Sequence, residues 1–195
     1  MEATVLYSGG RDSTLAAHVL ECIGYDVSLV TANFGVLDSW KHAREVAEAM
    51  GLPHEVKRFH TDVIRDAGDM ILKDGFPKNG INAVHKYVVE KVAEEHDVIS
   101  DGTRRDDRVP WLDLKEIRSI EDRSGAEYIA PLRGLGSRTI KKLSEKLFEI
   151  EKVESEELQN SDYESEIREM LKREHNLNLK DIFPYHTQSR VIWRS

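Results

Sequence analysis

The stretch Thr4-Val5-Leu6-Tyr7-Ser8-Gly9-Gly10-Arg11-Asp12-Ser13 decides the fold. A short β-branched and apolar run ends in two glycines. A helical pattern begins at once, with Leu15, Val19 and Ile23 spaced i, i+4, i+8. The reading is a strand, a turn built from backbone, and a helix. Gly9 and Gly10 can take φ > 0 and leave room for a ligand to approach the main chain. Ser8, Asp12 and Ser13 add two hydroxyls and a carboxylate. The free N–H groups of the first helical turn point back into this loop, which makes it a place for phosphate.

Outward from this stretch the chain alternates. Strand patterns cover 4–7, 27–32, 54–59, 98–100 and 128–130. Helical patterns cover 12–24, 39–50, 61–72 and 81–92, the last with the stripe Ile81, Val84, Val88 and Val92. Leu114, Ile117 and Ile120 mark a short helix, and Ile140, Leu143, Leu147 and Ile150 another. Such alternation argues for βαβ units on a parallel sheet. Residues 151–162 are acidic and polar and read as a linker or exposed turn. A helix is expected over 163–173, with Tyr163, Ile167, Met170 and Leu171 on its apolar side. The aromatics and Val191-Ile192 of the tail predict that it docks. The division expected is a main domain over 1–150, followed by a linker, helix and docked tail over 151–195.

Composition narrows the function. A hydrophobic share of 39% suffices for a core, and no apolar run approaches the ~20 residues of a membrane span. The N-terminus lacks a basic-then-apolar leader pattern. The lone cysteine, Cys22, excludes an internal disulfide and any multi-cysteine metal site. The expectation is a cytoplasmic protein with no membrane partner. The net charge of −8 argues against a general nucleic-acid coat, whose footprint is basic. The eight histidines show no metal-ligand spacing.

The loop is not the Walker pattern, which needs Gly-Lys-Ser/Thr after its fourth spacer residue. The form Ser8-Gly9-Gly10-Arg11-Asp12-Ser13, after a first strand, resembles the PP-loop of the ATP pyrophosphatase superfamily. GMP synthetase, 7-cyano-7-deazaguanine synthase and the tRNA thiolases carry such a loop. The resemblance implies a three-layer α/β/α sandwich on a five-stranded parallel sheet of order 3-2-1-4-5, here with a C-terminal helical extension. It implies that Ser8, Gly9, Gly10, Arg11, Asp12 and Ser13 hold the pyrophosphate of ATP.

Three further segments match on the same resemblance. Asp101-Gly102-Thr103-Arg104-Arg105-Asp106-Asp107-Arg108 follows strand 4 and resembles the Gly-Thr-x-x-x-Asp/Glu segment of synthetase relatives. In order 3-2-1-4-5, strands 1 and 4 are neighbours at the switch point, where open α/β sheets bind ligands. Gly102 is then expected to let the nucleotide come close, and Thr103 to offer a hydroxyl. Asp106 is expected to act in catalysis and, with Asp12 and Asp107, to ligate Mg²⁺. Ala32, Asn33 and Phe34, at the end of strand 2, are expected to recognise adenine through the main chain, with Phe34 stacking on the base. Arg133 and Arg138, in and after Pro131-Leu132, are expected to reach phosphate or substrate.

The chemistry implied is adenylation of an acceptor by ATP with Mg²⁺, with Asp12, Ser13, Asp106 and Arg133 as the catalytic group. The missing cysteines make ammonia an easier second nucleophile than sulfur. A partner that supplies ammonia, one that holds RNA, and a homodimer stay open. The competing readings are a regulatory protein that binds ATP or AMP without turnover, and a subunit of a thiolation-type tRNA-modifying enzyme.

Overall fold

A computed structural model describes residues 1–154, 161–175, 179, 182–183 and 187–192. Five strands form the main sheet: β1 Glu2–Leu6, β2 Asp26–Asn33, β3 His54–Arg58, β4 Val98–Ser100 and β5 Glu127–Ile129. Every pairing is parallel, and the order is β3-β2-β1-β4-β5. The sequence expectation of fold and strand order is met. The switch point lies between β1 and β4, because the connections leave β1 toward β2 and return to it at β4.

Helices cover both faces. α1 Arg11–Cys22, α2 Trp40–Met50 and a later helix, Ser137–Leu147, bury Leu15, Leu20, Val46 and Ile140 against one face, with Val5 and Leu29 of the sheet. α3 Asp62–Asp74, α4 Lys78–Ala93 and α5 Leu114–Ser124 bury Ile64, Ile71, Val84, Val88 and Ile120 on the other. The Ser137–Leu147 helix is α6. Each fully buried side chain of this size contributes about 1.5–3 kcal/mol. α3 and α4 meet closely because Gly80 has no side chain. A Cβ there would stand 2.6 Å from the Ala67 carbonyl oxygen.

The C-terminal third differs from its sequence reading. The helix expected to run to Ile150 stops at Leu147, and Phe148 turns into extended conformation (φ −130°, ψ 155°). Glu149–Glu154 is a strand, β6, where a linker from residue 151 was expected. It pairs antiparallel with β7, Thr187–Ile192. Val191 is fully buried beside Phe148 and Ile150, where β7 pairs with β6. Residues 155–160 and 193–195 lie outside the described residues. α7, Tyr163–His175, lays Ile167, Met170 and Leu171 into the α3/α4 core. It fits because Gly68 of α3 leaves space: a Cβ there would be 2.9 Å from Met170 Cε.

Candidate functional site

A crevice of about 1230 Å³ opens at the carboxyl ends of β1 and β4. One wall is the loop that opened the sequence. Ser8, Gly10, Arg11, Asp12 and Ser13 line it. Gly10 sits at the N-cap of α1 in extended conformation, and no side chain caps the first turn. Its N–H groups remain available to an anion. Hydroxyls brace the loop from within. Ser13 Oγ accepts from Ser8 N (3.3 Å) and donates to Gly10 O (3.2 Å), and Thr14 Oγ1 donates to Gly10 O (2.8 Å). Gly9 does not line the crevice. It turns at φ +71°, and a Cβ would stand 3.0 Å from Ala43 Cα, so it seats the loop on α2.

The second wall follows β4. Asp101, Gly102, Thr103, Arg104, Asp107 and Arg108 all line the crevice, so the two loops do face each other. Gly102 is needed for a reason other than the expected approach of a nucleotide. A Cβ on it would fall 2.6 Å from Ser13 N and 2.7 Å from Asp12 C, so Gly102 packs against the first turn of α1. The charges interlock across this seam. Arg11 Nε donates to Asp12 Oδ1 (2.8 Å), and Arg104 Nε lies 3.4 Å from Asp12 Oδ2. Arg104 also grips Asp107 through Nε and Nη2. Two carboxylates and two arginines therefore meet at the first turn of α1.

Other expected residues lie elsewhere. Asp106 faces away from the crevice. Its Oδ2 accepts from Ser137 N (2.9 Å), capping α6, and this bond, followed by Arg105, holds its carboxyl below the usual range. Arg138 is exposed on α6 and is not in the crevice lining. Arg133 stands behind the wall. Its guanidinium stacks 4.3 Å from the centroid of Trp111, and Trp111 is what lines the crevice.

At the end of β2 the expectation divides. Ala32 lines the crevice. Val30 O accepts from Tyr7 N of the β1 side, while Leu29 N and Asn33 O bond toward β3. By that alternation the main-chain groups of Ala32 face the β1 side, beyond the end of that strand. Phe34 does not stack on a ligand. It is 1% exposed and packed against Phe59 and Tyr163. Its N–H and those of Val36 and Leu37 donate to the carboxylate of Glu166, at 2.9, 3.0 and 3.3 Å. Asn33 Nδ2 donates to the same carboxylate (3.2 Å) and to Leu37 O (2.8 Å). Burial pushes the Glu166 carboxyl up, and the backbone donors work against that rise. Asn33 and Phe34 are thus committed to α7.

Two features had no place in the sequence reading. Glu166 is one; a glutamate inside a helix pattern carries no local signal. The other is His85 of α4, 2% exposed, whose Nε2 lies 2.9 Å from Asp101 Oδ2. It falls on the Ile81–Val84–Val88 stripe, and a histidine on an apolar stripe was the available signal. Asp101 also accepts from the Tyr128 hydroxyl (2.5 Å) and from Thr103 N (2.8 Å). Burial pushes the Asp101 carboxyl up. His85, Tyr128 and Thr103 outweigh burial and hold it down at about 2.

Residues 1–193 match the model of a family of unknown function, DUF7411. The chain belongs to the DUF7411 family. This DUF7411 chain is 43% identical over 192 residues to the uncharacterised protein MJ0690 of Methanocaldococcus jannaschii, covering 98% of itself and 96% of that protein. It also matches a crystal structure described as a predicted subunit of tRNA methyltransferase, from the same organism. There the TM-score is 0.91 and the identity 42%, over 99% of this chain and 97% of the other. A more distant match is the U34-tRNA thiolase NcsA of Methanococcus maripaludis, solved with its [4Fe-4S] cluster. At TM-score 0.56 and 18% identity, over 93% of this chain and 69% of that one, the likeness is one of fold.

Proposed function

We propose that this DUF7411 chain is an ATP pyrophosphatase of the PP-loop type. It binds ATP across the β1/β4 switch point, cleaves the α–β bond and adenylates an acceptor in the same crevice. The observation that carries the reading is the uncapped first turn of α1, facing Gly102, Thr103 and Arg104 across one seam. An anion at that turn gains backbone N–H donors and a favourable helix dipole. Arg11 and Arg104 stand beside it. The outward-facing main chain of Ala32 supplies the edge that adenine needs.

In this reading an acceptor oxygen attacks the α-phosphorus. The bond from that phosphorus to the bridging oxygen breaks, and pyrophosphate leaves with the electron pair. The free N–H groups of the first turn of α1, with Arg11 and Arg104, hold the charge that develops on the leaving group. Asp12 and Asp107 fit Mg²⁺ as one or two carboxylates working with phosphate oxygens; bound there, the ion would neutralise pyrophosphate. Among the described residues no three His, Cys, Asp or Glu side chains group to hold a metal alone. The ion would therefore arrive with the nucleotide. Asp106 has no part in this scheme, and Arg133 acts only through Trp111.

The near-complete match to a chain described as a predicted tRNA methyltransferase subunit supports an RNA group as acceptor. With a net charge of −8, this chain would need a partner subunit to hold the RNA. The test is incubation with Mg·ATP labelled at the α-phosphate. Labelled AMP with pyrophosphate is expected. Labelled ADP would overturn the reading, and tight ATP binding with no AMP, with or without RNA, would favour a regulatory nucleotide-binding protein.

A further inference from the structure

One buried titratable pair on the crevice wall is not used by this chemistry. His85 and Asp101 both line the crevice, and both are nearly closed to solvent, at 2% and 4% exposure. Asp101 comes from the end of β4 and His85 from the middle of α4. The Nε2–Oδ2 contact of 2.9 Å is bent out of hydrogen-bond geometry, and among the described residues Nδ1 has no hydrogen-bond partner. Leaving a buried imidazole nitrogen unpaired is costly. Such a cost is expected where a ligand supplies the missing partner. The groups placed against this pair are Tyr128 from β5, which donates to Asp101, and Tyr163 at the start of α7, whose ring lies 5.9 Å from the His85 ring. Asp162 stands beside Tyr163. Neither tyrosine competes for the proton, because burial above all pushes both hydroxyls well above their ordinary range.

We propose that His85, held by Asp101, is the proton acceptor for the group that attacks ATP. The inference rests on the adenylation reading and deepens it. Asp101 fixes the tautomer with the proton on Nε2, which leaves the Nδ1 lone pair free to act as a base. As the acceptor oxygen bonds to the α-phosphorus, the pyrophosphate oxygen leaves with its electron pair. The proton of the acceptor, from an O–H or from an N–H conjugated with the attacking oxygen, passes to Nδ1. The acceptor class is therefore one with a removable proton, such as a lactam or a hydroxyl, and not a preformed carboxylate. The bent apo contact is expected to straighten when the crevice fills.

Two measurements test this together. With no acceptor added, water serves as the probe, and AMP formation from Mg·ATP is followed in the intact protein. His85→Gln is expected to slow AMP release about 100-fold with ATP affinity unchanged, and Asp101→Asn to slow it as well. An undiminished rate in His85→Gln would overturn the assignment and leave the adenylation reading intact. Separately, ¹⁵N spectra of histidine-labelled protein at neutral pH report the tautomer, with His85→Gln assigning the signal. Nδ1 bare and Nε2 protonated is expected, with reversal or loss of that preference in Asp101→Asn. A proton found on Nδ1 in the wild type would overturn the inference whether or not AMP is formed, whereas a wild type that forms no AMP would defeat the adenylation reading and the inference with it.

Discussion

Gly102 carries the tightest constraint at the scale of single residues. A Cβ on it would run into the backbone of Asp12 and Ser13, and backbone cannot move aside as a flexible side chain can. Gly102→Ala should destabilise the fold by about 1–3 kcal/mol, as overpacking does, and weaken ATP binding further by shifting the first turn of α1. Denaturant unfolding and nucleotide titration of the variant would show this; wild-type values in both would contradict the seam. Asp101 gives a second prediction, with a sign. Its carboxyl falls from the ordinary 3.8 to about 2 on folding, so its stabilisation is complete above that ordinary value and is lost as pH falls through about 2. Asp101→Asn should remove this part of the acid dependence of stability, read from melting between pH 2 and 5. Much at this scale was legible. Ser8, Gly10, Asp12, Ser13, Thr103 and Arg104 stand in one crevice as the motif spacing suggests. Asp106 and Phe34 were not legible, because capping a distant helix and filling a core beside α7 are decided by contacts that sequence neighbours do not show.

Among the elements, the β6–β7 pair does what the sequence pattern hid. The stripe Ile140, Leu143, Leu147, Ile150 continues a helical period past Leu147. What ends the helix is a partner strand nearly forty residues downstream. Helices and central strands were legible because each carries its own period. A two-stranded ribbon is specified by pairing, and pairing is a tertiary event. β7 also reaches the Gly9 loop. Val191 N lies 3.4 Å from Gly9 O and donates to it, and Ser189 lines the crevice. Val191→Ala removes two buried carbons and should cost about 2 kcal/mol. On the proposed reading it should also weaken ATP binding, because the strand it anchors bonds to Gly9. Equal ATP affinity in the variant and wild type would show that the strap leaves the loop unaffected.

For the whole molecule, the two faces of the sheet carry two separate core clusters, and the crevice sits where elements from both come together. Occupying it should stabilise the entire fold. Mg·ATP at a hundred times its dissociation constant should add about 2.7 kcal/mol, raising the melting temperature by roughly 5–10 °C for a chain of this size. Mg²⁺ alone should give far less, since no preformed cation cage is present among the described residues. No shift with Mg·ATP would count against the nucleotide reading at any residue. The strand order was legible at this scale, because the alternation of patterns and the opening loop point to one parallel sheet. The acceptor was not legible. The crevice wall formed by Trp111, His85 and the start of α7 comes together only when elements far apart in sequence pack.

The contact between Val191 and Gly9 has a consequence for how the protein is made. Gly9 is synthesised well before Val191, the residue that closes on it. During synthesis the loop would stand without its strap. On the proposed reading, ATP binding would switch on only after the ribbon closes, and not gradually as the sheet assembles.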